Sequence, residues 1–234
     1  MTQPPVRGHV TVVAASIAFL LFAGSCLAQQ DNDLGLIGTW EPLPKGDSLE
    51  GWKVRGGFAT YKVVNGEIVG TTVEGSPNTF LTIGPFSDFL LEFDVFCDAQ
   101  LNSGVQIRSH VYDQGRRKGV VYGYQCEIAP ADRAHCGNFW DEGRFDKWWD
   151  DAANKPEART AYKLGQWNHY RIAAQGDHIR SWVNGIACAD FHDKTDTIGF
   201  IGLQVHAIKK GTGPYQVRWK NLRIQDLKRR DKVR

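Results

Sequence analysis

Three short segments of the sequence alternate between apolar and polar side chains, which is the period of a β-strand with one buried face. They are NSGVQIRS (residues 102–109), GYQCEI (123–128) and IGLQVH (201–206). The polar positions are expected to share one outer face: Gln106, Arg108, Gln125, Glu127, Gln204 and His206. An ordinary solvated face is the alternative. Planar hydrogen-bonding groups such as these, however, suit a polyhydroxylated ligand.

Turn signals separate further β-rich runs along most of the chain. Asn65-Gly66 and Asn184-Gly185 are the strongest, because Asn-Gly favours two-residue hairpin turns. The pattern predicts an all-β sandwich with few helices. Residues 131–164 lack this alternation and form a long aromatic loop insertion. We expect it to be a rim over the polar face, whose tryptophans either stack on sugar rings or anchor the loop: Trp140, Trp148 and Trp149.

The same motifs, with GQWN (165–168), WVNG (182–185) and VRWKNLRI (217–224), occur in the order seen in the 3-keto-disaccharide hydrolase family. The chain resembles that family from roughly Trp40 to Leu227. The resemblance implies a concanavalin A-like jelly-roll β-sandwich that acts on sugars.

The N-terminus has the layout of a secretory signal peptide, with Arg7, an apolar run over residues 10–22 and small residues up to Ala28. Cleavage there is expected to leave a short linker (29–39), one domain (40–227) and a basic tail (228–234). The apolar run is shorter than the roughly 20 residues that span a bilayer, so no transmembrane span is expected after cleavage. We expect a periplasmic or secreted protein, with a lipoprotein anchored at Cys26 as the alternative.

Cleavage at Ala28 would leave four cysteines: Cys97, Cys126, Cys136 and Cys188. An even number of cysteines in an exported chain is compatible with two disulfides. Cys126 and Cys136 bracket a short loop and are the preferred pair, with buried free thiols as the alternative. The spacings match no familiar zinc pattern.

A retaining glycosidase on the same fold is one competing interpretation, and it needs two carboxylates about 5 Å apart. Concanavalin-like glucanases carry them on one strand in an E-x-D-x-E type motif. Glu92 and Asp94 begin such a motif, but Phe96 stands where the second Glu is needed. The pair is incomplete. Glu92 and Asp94 are therefore expected either to line the polar face or to be exposed strand carboxylates.

The family resemblance implies a different chemistry. In a glycoside oxidised at C3, the ketone acidifies the proton on C2, and elimination then expels the oxygen on C1. Such a site needs a base, a proton donor and a group that stabilises enolate charge. We assign these roles to Glu127, His206 and Arg108 respectively. The family strand often reads Glu-x-Gln, whereas this chain has Gln125-Cys126-Glu127, so the position of the carboxylate is swapped.

No cofactor is expected to be required, although a divalent cation held by His206, Glu127 and Asp141 is the alternative to Arg108 as electrophile. The predicted substrate-binding residues are Gln106, Gln125, Gln204, Trp140, Asp141, Glu92 and Asp94.

Two functions from different classes remain open. One is an exported enzyme that cleaves 3-keto-glycosides, and the other is a non-catalytic, lectin-like carbohydrate-binding module. The formal net charge is +2, and apart from the C-terminal tail the basic residues are scattered. This distribution does not indicate nucleic-acid binding. The expected partner is therefore a carbohydrate or glycoside.

Overall fold

The computed structural model describes residues 39–129, 134–150 and 155–227. Within these ranges the regular secondary structure consists almost entirely of β-strands. They are β1 (Trp40–Pro42), β2 (Lys53–Arg55), β3 (Thr60–Val64), β4 (Glu67–Thr71), β5 (Thr79–Phe86), β6 (Phe89–Cys97), β7 (Ser103–Val111), β8 (Val121–Ile128), β9 (Phe139–Glu142), β10 (Asn168–Gln175), β11 (His178–Val183), β12 (Ile186–His192), β13 (Gly199–Val205) and β14 (Gln216–Asp226).

The strands form two antiparallel sheets. The eight-stranded sheet has the order β12-β11-β10-β6-β14-β4-β3, with β1 paired to β14. The six-stranded sheet has the order β2-β5-β13-β7-β8-β9. Neighbours in each sheet are mostly distant in sequence, as in a jelly roll rather than a simple meander. The prediction of an all-β jelly-roll sandwich is confirmed.

Two hairpins form at the Asn-Gly turns that the sequence predicted. Asn65 (φ 52°) and Gly66 (φ 77°) join β3 to β4, and Asn184 (φ 51°) and Gly185 (φ 82°) join β11 to β12. Both central residues of a type I′ turn have positive φ, which Asn and Gly tolerate best. The local turn chemistry therefore fixes the register of both strand pairs.

The core lies between the inner faces of the two sheets. Phe93 of β6 stacks on Tyr170 of β10, with ring centroids 5.2 Å apart. The apolar positions of the three alternating segments enter the same cluster as predicted: Val105, Ile107, Leu203 and Val205. Because side chains alternate along a strand, burying these residues turns their polar neighbours to the opposite face.

The aromatic insertion contains short elements in its described part. It includes β9 and a single-turn helix, α1 (Pro156–Arg159), while a 3₁₀ turn (Gly115–Arg117) precedes β8. Among the residues that the structure describes, no helix is long and apolar enough to cross a membrane. The predicted signal peptide, nearly all of the linker and the basic tail lie outside the described residues.

Candidate functional site

A cleft of about 430 Å³ opens at one end of the six-stranded sheet, on its outer face. We call it the cleft throughout. Its lining combines two carboxylates, amides, imidazoles and indole rings: Asn102, Gln125, Glu127, Ala129, His135, Trp140, Glu142, Trp148 and His206. Polar groups beside flat aromatic surfaces match the hydroxyls and the apolar faces of a sugar.

Strand β8 positions Gln125 and Glu127 in the cleft. Tyr124 and Cys126 alternate with them and are buried in the core, so the amide and the carboxylate project outward. Gln125 Nε2 donates a hydrogen bond of 2.6 Å to Glu127 Oε1. On the neighbouring strand a Cβ atom at Gly104 would lie only 2.6 Å from Gln125 Cγ. The glycine therefore leaves room for the Gln125 side chain to lie flat across the sheet.

A chain of hydrogen bonds continues from Glu127 across the sheet. Since a carboxylate accepts, Gln125 must present its nitrogen to Glu127 and its oxygen to Gln106. Gln106 Nε2 lies 3.2 Å from that oxygen, and Ser109 Oγ lies 2.5 Å from Gln106 Oε1. Gln106 is fully buried. It therefore supports Gln125 from behind and does not line the cleft.

Strand β9 supplies Trp140 and Glu142 to the cleft, because residues two apart on a strand share a face. They lie opposite Gln125 and Gly123 of β8. Asn78 Nδ2 donates to Glu142 Oε1 at 2.8 Å. Burial raises the pKa of Glu142 above its usual value, although the hydrogen bond from Asn78 and the nearby His206 oppose the shift. This carboxyl group is thus biased toward its protonated form.

His206 lies just beyond β13 and is partly exposed in the cleft. Its Nδ1 is 2.7 Å from the carbonyl oxygen of Ala207, which can only accept, so this ring nitrogen carries a proton. Asn78 Oδ1 accepts from the backbone nitrogen of Ala207 at 3.0 Å. Asn78 therefore connects the His206 segment to Glu142 through the two ends of one amide.

Indole rings form the other wall of the cleft. Trp140 meets Trp148 edge to face with centroids 5.1 Å apart, and His135 stacks on Trp148 at 4.2 Å. Trp149 instead packs against Tyr124 and Phe191 and anchors the insertion to the sandwich. Trp140 and Trp148 are thus the rings that a ligand in the cleft can reach.

The side chain of Arg108 does not lie where the sequence predicted it. The residue has φ 45° at an irregularity in the pairing of β7 with β8, so it does not keep the alternation of Gln106. Its fully buried side chain donates to the carbonyl oxygens of Ser87 and Gly176 and pairs with Asp88 at 3.0 Å. The prediction that Arg108 shares the polar face is wrong.

Glu92 and Asp94 are also misplaced by the prediction. Both lie on β6 of the eight-stranded sheet and face away from the core. Glu92 is 3.3 Å from Arg171 and 2.5 Å from Arg223, and Asp94 accepts from the Asn221 amide. These two carboxylates belong to the opposite sheet and cannot line the cleft.

Asp141 alternates with Trp140 and Glu142 and therefore points away from the cleft. It is fully buried and binds the Arg144 guanidinium at 2.7 Å and the backbone nitrogen of Phe145 at 2.7 Å. Asp141 consequently cannot complete a cation site with His206 and Glu127. In the described ranges, no group of three His, Cys, Asp or Glu side chains is arranged to hold a metal ion.

Gln204 keeps the predicted phase but is fully buried. Neither polar atom of its amide has a hydrogen-bond partner among the described residues, and Gln204 is not one of those found to line the cleft. The sequence analysis missed Glu142, Asn102 and His135. FWDE (139–142) places two aromatic residues before two acidic ones and does not alternate, so none of these three residues had a period-two signal of its own.

The preferred Cys126–Cys136 disulfide is not formed. All four cysteines of the domain are buried free thiols. Cys136 Sγ lies 3.1 Å from the carbonyl oxygen of Ala129, and burial raises the pKa of Cys136 to about 12. The cysteines are therefore buried free thiols, which was the alternative to a disulfide in the sequence analysis.

Most of the chain matches the model of one protein family. The family model described as a 3-keto-alpha-glucoside-1,2-lyase-like domain matches residues 39–225. The chain belongs to this family. Membership in the lyase-like family confirms the resemblance seen in the motifs and indicates a carbohydrate-binding or glycosyl hydrolase-like module. The comparison with curated protein sequences found no match.

Solved structures share the fold of this lyase-like domain at low sequence identity. A candidate glycosyl hydrolase from Parabacteroides distasonis is 21% identical with a TM-score of 0.56, over 81% of this chain and 94% of that one. A carbohydrate-binding module from Bacillus subtilis is 14% identical with a TM-score of 0.53, over 75% and 95%. A Bacillus subtilis protein with a galectin-like fold is 10% identical with a TM-score of 0.51, over 82% and 96%.

Proposed function

We propose that this protein cleaves 3-keto-glycosides in the cleft by elimination followed by hydration. The observation that carries the proposal is the pair of carboxyl groups in different settings beside an aromatic wall. Glu127 accepts a strong hydrogen bond from Gln125, while burial holds the pKa of Glu142 above its usual value. Two carboxyl groups whose environments differ in this way suit a base and an acid respectively.

In this scheme Glu127 removes the proton from C2, which the C3 ketone has made acidic. The electron pair of that C–H bond forms a C1–C2 double bond as the C1–O bond breaks. Glu142 gives its proton to the departing oxygen, and the C3 carbonyl carries the enolate charge in passing. Water then adds its hydroxyl to C1, and a proton returns to C2. The products are the free alcohol and the 3-keto sugar.

Glu142 suits the role of proton donor better than His206, the residue that the sequence predicted for this role. Because His206 Nδ1 binds the Ala207 carbonyl, its Nε2 in the neutral ring is an acceptor. Only the imidazolium form could donate there. A protonated carboxyl group donates without that extra charge. His206 in its neutral form can instead accept a hydrogen bond from a sugar hydroxyl.

The binding-module alternative has one specific observation in its favour. None of the described residues that line the cleft is Lys or Arg, so the cation assigned to the enolate oxygen has no replacement among them. The lining residues that could donate a neutral hydrogen bond to that oxygen include the amides of Asn102 and Gln125. A divalent cation stays a prediction, which loss of activity in a chelator and its recovery with added metal would support.

Incubation with a panel of 3-keto-glucosides in deuterated water tests the proposal. We expect release of the alcohol and incorporation of deuterium at C2 of the sugar product, measured by NMR and mass spectrometry. Glucosides that carry a hydroxyl at C3 should stay intact, because their C2 proton is not acidic. Protein that binds 3-keto-glucosides without cleavage or C2 exchange would instead support the binding module.

We also propose that the domain acts outside the cytoplasm, because the sequence begins with the layout of a secretory signal. The intact mass of protein from its native host is expected to correspond to a chain that begins at Gln29. A mass that retains residues 1–28 would contradict export by this route, and a lipid-modified Cys26 would support the lipoprotein alternative.

A further inference from the structure

A second cavity, of about 350 Å³, lies at the other end of the six-stranded sheet. It is formed by β2, β5, the end of β7 and the start of β13, and none of the described residues that line it also lines the cleft. We call it the basic cavity. Its lining includes Lys53, Arg55, Thr82, His110, Ile198 and Phe200. No carboxylate is among the described residues that line it.

Arg55 is held in a fixed position in this cavity. Its Nε donates to Thr82 Oγ1 at 3.1 Å, and that hydroxyl donates to the carbonyl oxygen of Lys53 at 2.8 Å. The guanidinium carbon lies 5.6 Å from the centre of the Phe200 ring. These contacts use one edge and one face of the group. The two terminal nitrogens keep their hydrogens for a planar acceptor.

Among the described residues Arg180 of β11 also lacks an ion pair, but five other arginines of the sandwich differ from Arg55 in having a carboxylate partner. Each of these forms an ion pair with Asp or Glu: Arg108, Arg144, Arg171, Arg218 and Arg223. Neither Arg55 nor Lys53 forms one with any described residue. Because the two side chains are two residues apart on β2, they project from the same face. Their charges therefore add in one place.

A third basic group borders the same space. His110 Nε2 lies 3.2 Å from Asp196 Oδ1, but the other oxygen of Asp196 binds Arg144 at 2.5 Å. The carboxylate of Asp196 is thus already shared between two partners. Apolar surface completes the cavity, with Ile198 51% exposed beside the Phe200 ring.

We propose that the basic cavity binds a small organic carboxylate, whose oxygens bind the Arg55 fork and Lys53 and whose apolar body packs on Phe200 and Ile198. A carboxylate matches the guanidinium in bidentate geometry, and such charge-assisted bonds are among the stronger hydrogen bonds in proteins. The ring face and the exposed isoleucine provide a surface that a purely inorganic oxyanion would leave uncovered.

Calorimetric titration with benzoate at low ionic strength tests this site, with benzamide as the neutral ligand of the same shape. We expect benzoate to bind wild-type protein at least about tenfold more tightly than benzamide does. Arg55→Gln should weaken benzoate binding by a similar factor, and Arg55→Lys should lose part of it because the fork is gone. Lys62→Gln, an exposed lysine on β3 of the other sheet, is the matched control and should change nothing.

Equal binding of benzoate to wild type and Arg55→Gln, or of benzamide and benzoate to wild type, would overturn the proposal. Inorganic sulfate that binds as tightly as benzoate would contradict the part assigned to Phe200 and Ile198. Since no glycoside takes part in the titration, its outcome is independent of the chemistry proposed for the cleft. Lys53→Gln, at an exposed position, provides a second variant that keeps the fold, and it should also weaken benzoate binding.

Discussion

The outer faces of the two sheets carry the same kinds of side chain but arrange them differently. On the eight-stranded sheet Asp94 accepts from His169 and Asn221, and these bonds lower its pKa although partial burial opposes the shift. In the cleft of the six-stranded sheet the pKa of Glu142 moves upward instead, because burial outweighs its bond to a neutral amide. The first face neutralises its charges internally. The second keeps a carboxyl group ready to exchange a proton.

The types of residue on a face therefore do not show whether it binds a ligand or only stabilises the fold. The group that each charged side chain contacts is the better guide. Glu92 lies between two guanidinium groups, so its charge is already used in holding strands together. Glu142, whose carboxyl group binds the neutral Asn78 amide, retains chemistry for a ligand.

Glu127→Gln should lower turnover roughly 10²- to 10⁴-fold on a 3-keto-glucoside while the affinity for the substrate changes little. The amide keeps the shape and the hydrogen bonding but cannot accept the C2 proton. Steady-state kinetics and direct binding measurements check the two quantities separately. Asp94→Asn is the matched change on the opposite sheet, and it should leave turnover within about twofold. Loss of turnover in both variants would contradict the contrast between the faces.

Sequence alternation identified which side chains leave the core but not which sheet they leave from. Val105, Ile107, Leu203 and Val205 were predicted correctly because burial follows from period two alone. Glu92 and Asp94 have equally good alternation, but the chain order of jelly-roll strands assigns β6 to the other sheet. That assignment depends on long-range pairing, which a local pattern does not contain.

The prediction for Arg108 was wrong for a different reason. Its strand reads as a regular alternation, yet the irregular pairing between Ile107 and His110 changes the phase at that residue. A bulge redirects a side chain without leaving a mark in hydrophobicity. Glu142 was missed in the opposite way, because a short strand inside the aromatic insertion was treated as an irregular loop.

Arg108→Ala should destabilise the fold by about 3 kcal/mol or more, since it leaves Asp88 and two backbone carbonyls without their buried partner. Urea unfolding measures the change. Arg116→Ala, an exposed residue of the 3₁₀ turn, is the control and should stay within about 0.5 kcal/mol. If Arg108→Ala kept its stability and lost turnover, the cation would belong to the cleft after all.

Trp140→Ala should weaken sugar binding by about 2 kcal/mol, or roughly 30-fold, as expected for an aromatic anchor. Trp167→Ala removes a similarly exposed indole that packs with Phe96 and Arg218 on the eight-stranded side. That control should bind the ligand normally. Titration calorimetry of both variants with the same 3-keto-glucoside compares the faces directly, and equal losses would mean that the cleft is not the binding site.

The two carboxyl groups should also give opposite dependences of stability on pH. Asp94 has a lowered pKa in the folded state, so its contribution is present above its usual value of 3.8 and is lost as the pH falls further. Glu142 has a raised pKa, so the folded state retains a proton that the unfolded state loses. Its contribution is therefore present below 4.5 and is lost as the pH rises.

Denaturation of Asp94→Asn and Glu142→Gln between pH 3 and pH 7 measures these dependences. The loss of unfolding free energy in Asp94→Asn, relative to wild type, should be largest at neutral pH. The unfolding free energy of Glu142→Gln should increase relative to that of wild type as the pH rises from about 4.5, the ordinary pKa of this carboxyl group. Parallel curves for the two variants would show that the settings of the two carboxyl groups do not differ.

The two sheets are held together by packing, and the described cysteines form no disulfide between them. Cys126 belongs to β8 of the six-stranded sheet and Cys188 to β12 of the eight-stranded sheet, and both are buried thiols in the shared core. Burial raises the pKa of both thiols, which disfavours the reactive thiolate. A reducing agent should therefore leave the melting temperature unchanged, and iodoacetamide should label Cys97, Cys126, Cys136 and Cys188 after unfolding but not before. A lower melting temperature under reduction would reveal a covalent link, and packing alone would no longer account for how the eight-stranded sheet supports the sheet that carries the cleft.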